Sequence, residues 1–534
     1  MKKIICNAGI QLKPYLLSCL FLFNLISIYA SETSLKQTRV YENDKIFDLI
    51  ESLYLSSAEI NPGNDNLLTY NDVELLLNLW QNRHPDPDQN QLHIINDIQA
   101  ILNAITNNGR IRIKAGLDYM YHNVPDCTET SPFYNKFRDQ DFETKYTERG
   151  RFFDATLDMP LYKSIFLSTR TSLKNDWKYF NRRHSDFPRN LKEFNADFNE
   201  KSILTCRLDN LFIQLGRDRI NFGIGEFSKL LINSNLPPVD HFQFSINYKE
   251  DLAFTFLIGW MKNAVLEDEH PKIMYVHRLS YRFLDRLYLA LTEMQMTNQD
   301  LNSKYINPFM IYHNEYDYPS QRNIMTAADA ELALGYNAKV YGSFAVDEID
   351  VSALEENGNK GREAWGLIFG FKKKQPFGLY HSNWVVEWTK LTKWIYSYGF
   401  PWLDYYTLNY VYEENQDKLE PVEFHRFIGN ELGPNVEALM SGFNWKGFDL
   451  SVKYIEQGKI PILQRAFSEL PDTVKSYNYV FGVQYNETIL QNRLELKTTF
   501  YHTISKNFHQ YSGLKKSYSE FWISLNIMIF NIRW

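Results

Sequence analysis

From residue 111 onward the apolar and polar positions of the chain alternate with a period of two. Ile111, Ile113, Ala115, Leu117 and Tyr119 fall on one face, with Arg112, Lys114, Gly116 and Asp118 on the other. That period is the signature of a strand half-buried on one side. Residues 199–240 hold one complete unit. Ser202, Leu204, Cys206 and Leu208 alternate with Lys201, Thr205 and Arg207, Asp209-Asn210 turns the chain, and Leu211, Ile213 and Leu215 resume the pattern around Gln214. Two alternating runs around a two-residue turn predict a β-hairpin. Further strands are expected at about 152–161, 165–175, 241–248, 252–261, 274–283, 286–297, 325–334, 339–347, 364–373, 380–391, 435–445, 448–456, 477–486, 491–504 and 518–534. The total is eighteen, an even number, as a closed antiparallel sheet with both ends on one side requires.

The joins are as regular as the strands. Long connections, at about 122–151, 176–199, 218–240, 262–273, 298–324, 348–363, 392–434, 457–476 and 505–517, alternate with short ones such as Tyr162-Lys163-Ser164, Leu284-Asp285 and Lys446-Gly447. Strict alternation predicts an all-β transmembrane barrel of about eighteen strands, short turns in the periplasm and long loops outside. The last strand carries apolar residues in both registers, Phe521, Ile523, Leu525, Ile527 and Ile529 in one, Met528, Phe530, Ile532 and Trp534 in the other. A bulge or a buried inner face is expected there. The terminal aromatic resembles the signal read by the outer-membrane assembly machinery. Trp260, Trp384, Trp388 and Trp445, near strand ends, suit an interfacial girdle.

The first 108 residues follow a different rule. Residues 1–30 read as a signal peptide, with Lys2 and Lys3, an apolar run and Ala30 at the cut. Leu16-Leu17-Ser18-Cys19 resembles a lipoprotein box, but Leu20-Phe21-Leu22-Phe23 continues the run, so no lipidation is expected. Residues 31–108 read as a periplasmic helical region. Ile46, Phe47, Leu49, Ile50 and Leu53 share one helix face, and Asn71 with Glu74 reads as an N-cap box before Leu75–Trp80. A third helix carries Leu92 through Leu102. Residues 109–534 are then the barrel. Its expected place is the outer membrane of a Gram-negative-type bacterium.

Composition sharpens this. Aromatics make up 16% of the 534 residues, yet the mean hydropathy is −0.40, as a barrel that hides its membrane face in every second residue would have. The net charge of −7 gives no case for nucleic acid as a partner. No Gly-x-Ser-x-Gly, His-Glu-x-x-His or Walker loop is present, so no enzyme, cofactor or metal site is expected. Asp347-Glu348 would point to opposite faces of a strand, and inward carboxylates such as Glu387 are ordinary in a polar lumen. Cys127 lies in the first outer loop and Cys206 beside a periplasmic turn, too far apart for a disulfide.

The outer loops are unusual. The second holds Trp177, Tyr179, Arg182 and Arg183; the seventh holds Trp394, Trp402, Tyr405 and Tyr406. Aromatic faces stack on sugar rings and Arg clamps carboxylates, which is the chemistry of holding an acidic polysaccharide. The same aromatics would equally pack the loops over the barrel mouth.

At residues 216–238 the chain resembles the Wzi family of capsule-assembly outer-membrane proteins. The residues are Gly216-Arg217-Asp218, then Phe222-Gly223-Ile224-Gly225, then a Leu-rich run closing in Ser234-Asn235-Leu236-Pro237. Phe222 and Ile224 stand where the family carries Trp and Pro. Asn307-Pro308-Phe309, Val346-Asp347-Glu348, Val386-Glu387-Trp388-Thr389 and Gly429–Pro434 are further similar stretches. The resemblance implies an eighteen-stranded barrel with periplasmic helices whose extracellular loops bind capsular polysaccharide. The motif residues Gly216, Arg217, Asp218, Gly223, Gly225, Ser234, Asn235 and Pro237 read as structural. The alternative function is a solute channel, for which eighteen strands leave room.

Overall fold

A computed structural model of the chain describes residues 39–40, 44–62, 68–105, 110–122, 151–162, 164–174, 199–208, 210–233, 236, 238–248, 251–261, 272–298, 300–312, 322–349, 363–377, 380–396, 405–415, 418–458, 474–489, 493–507 and 512–533. Twenty strands, numbered β1–β20 in chain order, appear among them. Eighteen form one sheet in which each strand pairs antiparallel with its neighbour along the chain. β1 (Arg110–His122) also pairs with β20 (Lys515–Arg533), so the sheet closes. The two strands outside the barrel, β14 (Tyr406–Asn415) and β15 (Lys418–Phe427), form a hairpin within the seventh long connection. The stretch read only as part of the seventh long loop therefore contains a strand pair.

Side-chain alternation sorts the wall into two chemistries. Along β8 (Lys272–Phe283), Arg278, Ser280 and Arg282 are buried inside while Leu279, Tyr281 and Phe283 are exposed outside. The inner cations are paired: Arg278 donates to Asp329 at 2.5 Å and to Thr292 at 2.7 Å. An apolar exterior of this extent would aggregate in water and suits lipid. Trp260 and Trp384 are exposed on it.

The short turns explain themselves. Leu284-Asp285, Tyr336-Asn337 and Lys446-Gly447 each place two successive residues at positive φ (50° and 59°, 54° and 59°, 51° and 78°). This left-handed pair is the hairpin geometry whose twist matches that of the flanking strands. In the closing strand, Ile113 pairs with Phe530 but Lys114 with Met528, so Ile529 is bulged out. Ile527, Ile529 and Phe530 are all exposed. The bulge switches the outward register, which is why both registers of the last strand are apolar.

Three helices precede the barrel: α1 (Lys45–Ser56), α2 (Tyr70–Arg83) and α3 (Gln89–Ala104). Ile46, Leu49, Ile50 and Leu53 of α1 meet Leu76, Leu77 and Trp80 of α2 and Ile94, Ile95 and Ile98 of α3 in one core. The cap of α2 differs from the Asn71–Glu74 box expected. Thr69 is held extended by a bridge to Arg39, so the helix starts earlier. The Thr69 hydroxyl accepts from the Asp72 N–H at 3.2 Å, and the Asp72 carboxylate accepts from the Thr69 N–H at 2.8 Å. The bundle docks on the short-turn end. Arg83 pairs with Asp285 at 3.0 Å, Arg207 with Asp72 at 2.6 Å, and the Ile60 N–H donates to the Asp285 carbonyl at 2.7 Å.

Cys206 is buried among Ile165, Leu204 and Ile213 and is not in a disulfide. Cys127 lies outside the described residues. Mass spectrometry of the unfolded, non-reduced mature protein should find both thiols free. An intramolecular Cys127–Cys206 bond would mean that the two lie at one end of the barrel.

Candidate functional site

The segment between β5 (Leu211–Asp218) and β6 (Val239–Tyr248) folds into the lumen. Its base starts at Gly216, φ 125°, where a Cβ would overlap the Ser202 carbonyl oxygen of the paired strand β4 (Asn199–Leu208). Only glycine fits there. Arg217 grips Asp240 with two hydrogen bonds of 2.8 and 2.6 Å, tying the two ends of the loop together. Asp218 accepts from the Arg219 N–H at 2.9 Å and pairs with Arg39 at 3.4 Å. Phe222 and Ile232 then exchange backbone hydrogen bonds of 3.0 and 3.2 Å, closing a narrow loop. Gly223 (φ 100°) and Gly225 (φ 149°) lie within it. Ser234, Asn235 and Pro237 lie outside the described residues.

This loop is a plug, and it is apolar. Leu230, Leu231 and Ile232 are fully buried, in one cluster with lumen-facing Met274, Met294, Met325 and Ile368. The seventh connection also enters the lumen. Tyr396, Tyr405, Ile428 and Leu432 join the same cluster. Two asparagines clamp the segments together. The Asn233 amide donates to the carbonyls of Phe427 (2.8 Å), Ile428 (3.2 Å) and Gly429, and the Asn430 amide donates to the Ser228 hydroxyl at 2.7 Å. Tyr396 donates its hydroxyl to the Leu230 carbonyl at 2.9 Å and accepts from the Asn430 N–H at 3.0 Å. Burial pushes this phenol up, so it stays protonated and keeps donating.

The barrel wall supplies brackets for both segments. Glu387, fully buried on β13 (Tyr380–Leu391), accepts from the Glu226 N–H at 2.8 Å, the Phe227 N–H at 3.4 Å and the Tyr341 hydroxyl at 2.9 Å. Asp347 accepts from the Tyr396 N–H at 2.7 Å. Pairing slips between Val346 and Glu348, so Asp347 sits at a bulge. These carboxylates hold loops.

Below the plug is a buried ionic cluster. Glu51 of α1 receives Lys339, Lys372 and Lys374 from the wall, each at 2.8 Å. Lys372 also reaches Glu226 of the plug at 2.8 Å, Lys339 pairs with Glu331 at 2.8 Å, and Lys374 with Asp48. One ammonium thus bridges α1 and the plug. Burial alone would raise the Glu51 carboxyl, but the three ammoniums outweigh it and hold the group well below the usual carboxylate range.

The sugar-binding candidates separate. Tyr405 is fully buried, its hydroxyl 3.0 Å from the carbonyls of Met294 and Asn323, which share its one proton. Its ring packs the lumen and offers no face to a sugar, which corrects its place among the candidates. Trp394 is partly buried, with the Lys393 ammonium 5.5 Å from its ring. Tyr406 opens β14. Trp177, Tyr179, Arg182, Arg183 and Trp402 lie outside the described residues. The sequence reading missed Glu51, Glu226 and the lysines. Two signals were present: a Glu on the apolar face of α1, and Lys372 and Lys374 two apart in a strand.

A closed eighteen-stranded antiparallel barrel with an apolar exterior and a helical bundle at its short-turn end defines the class: the protein is an outer-membrane β-barrel. No protein-family model matches the sequence, and no curated protein matches it. Among solved structures it is similar to Wzi of Escherichia coli, described as an outer-membrane protein involved in group 1 capsule assembly and a carbohydrate-binding β-barrel. The identity is 12%, the likeness covers 92% of this chain and 99% of that one, and the TM-score is 0.56. OpdK of Pseudomonas aeruginosa, solved with vanillate, is 9% identical over 80% of this chain and 99% of that one, with a TM-score of 0.42.

Proposed function

We propose that this barrel binds acidic surface polysaccharide on its extracellular loops, as a closed and non-catalytic anchor. The observation that carries the reading is the filled lumen. With the plug, the seventh connection and Glu51 of α1 packed inside, the outer loops are the surface left for a partner. Their composition suits that partner: Arg182 and Arg183 offer guanidinium forks to uronate carboxylates, and Trp177 and Tyr179 are close by in sequence as stacking surfaces. Trp394, Trp402 and Tyr406 supply a second aromatic group. The likeness in fold to a carbohydrate-binding barrel supports the same reading.

The test is titration calorimetry with anionic and neutral glycans. A hydrogen bond to a charged partner contributes about 1.5–3 kcal/mol. Arg182→Ala with Arg183→Ala should therefore weaken an anionic glycan by about tenfold or more. The double Lys variant should recover only part of the loss, since ammonium keeps the charge without the planar fork. A double Ala variant that retains heat-modifiable gel mobility and binds as tightly as wild type would exclude the second loop.

A further inference from the structure

The connection after β9 (Leu287–Thr297) behaves differently from the plug. Residues 300–312, including the short helix α4 (Ser303–Ile306), lie on the outside of the barrel. The pairing register establishes this. On the lower wall, Leu279 pairs with Leu291 and Tyr281 with Leu289, all exposed and lipid-facing. Continuing along the same outward rows, Ile258 pairs with Tyr275, Tyr275 with Gln295, and His277 with Glu293. These outward residues are nevertheless buried or nearly so, and no wall covers them. Tyr305 and Tyr312 do: their rings lie 5.5 and 6.5 Å from Tyr275, and Tyr312 stacks on His277 at 4.6 Å.

The covered patch is one that lipid would not tolerate. His277 and Glu293 meet at 2.9 Å, and the Gln295 side chain is fully buried with neither amide atom hydrogen-bonded. A membrane-spanning strand needs about 9–11 residues, and β8 and β9 have 12 and 11, so these rows lie within the membrane band. The flap shields polar groups at that depth. Its own backbone is suited to the place. The N–H groups of Lys304 and Phe309 bond to the Asn302 and Asn307 side chains, those of Tyr305 and Met310 to nearby carbonyls, and that of Tyr312 to Glu293 at 2.8 Å. Pro308 has no N–H to satisfy. Irregular backbone at membrane depth is tolerated where it is buried against protein, and these bonds tie the flap to itself and to the wall.

The outer surface of the flap is apolar. Phe309 is 77% exposed and stacks on outward Phe254 at 5.4 Å, and Ile311 is 57% exposed. This surface is continuous with the lipid-facing belt. We propose that residues 300–312 form a membrane-embedded flap that seats Phe309 and Ile311 among the acyl chains of the outer leaflet.

The test is nitroxide accessibility in bilayers, on the full mature chain carrying Cys127→Ser and Cys206→Ala. Phe309→Cys and Ile311→Cys would be labelled singly, beside Leu291→Cys as a lipid-facing reference and Tyr336→Cys as an aqueous one. All four sites are exposed, and heat-modifiable mobility controls for folding. The proposal expects oxygen-dominated relaxation at 309 and 311, as at 291, with little effect of a water-soluble nickel chelate. Relaxation at both sites like that at 336 would place the flap in water and overturn it.

Discussion

Excising residues 221–233 and joining the flanks with a short Gly-Ser linker should convert the barrel from closed to open. Leu230, Leu231 and Ile232 share one buried apolar cluster with Tyr396, Ile428 and Leu432. Without them the seventh connection loses its contacts with the plug and its Asn233 clamp, and keeps the wall contacts of Tyr396 and Tyr405. What remains is an eighteen-stranded wall lined by Arg278, Asp329, Lys339 and Glu331, and barrels of 16–18 strands otherwise enclose water. In a liposome-swelling assay, uptake of small sugars should rise from background to a porin-like rate. The wall itself should keep its heat-modifiable mobility, because each strand retains both neighbours. Unchanged swelling would mean that the seventh connection alone suffices to close the lumen.

Glu51→Ala should release the helical bundle from the short-turn end of the barrel. One carboxylate there faces three ammoniums at 2.8 Å. Removing one side of a buried ion pair costs about 3–5 kcal/mol, because the partner charges stay buried. Limited proteolysis should then cut the helical region of the variant while sparing the barrel. The pH dependence follows from the depressed Glu51 carboxyl. A group whose folded pKa lies below its unfolded value, about 4.3 for Glu, contributes its full stabilisation above that value and loses it as pH falls through the folded one. The wild-type helical region should therefore resist an acid-tolerant protease at pH 5 and become sensitive only well below pH 4. Equal sensitivity of variant and wild type at neutral pH would show that apolar docking alone holds the bundle.

Much of this architecture was legible in the residues. Period-two alternation located the barrel strands, since wall residues must differ inside and out. The Lys446-Gly447 turn marked the short-turn end, and two apolar registers in one strand called for a bulge or a buried inner face, of which the bulge at Ile529 is the one present. What alternation cannot report is where a loop goes. The plug, the flap and the β14–β15 hairpin all read as outer loops, because each is placed by contacts with residues far away in sequence. Tyr405 illustrates the limit: its aromatic neighbours suggested an exposed platform, yet its hydroxyl is spent on two lumen carbonyls. Glu387 and Asp347 were read as ordinary inward carboxylates, and what they accept is backbone N–H from the two inserted segments. The Lys372 contact with both Glu51 and Glu226 joins three segments, the nearest two of them 146 residues apart, and no local pattern encodes it.

The claim beneath all of this is that the lumen is shut and that a partner is met outside it. Planar-bilayer recording of the pure wild-type protein tests that most directly. The account predicts a quiet membrane with no lasting conductance steps at moderate voltage. Large, stable, reproducible steps from the unmodified barrel would contradict it and make the protein a solute channel.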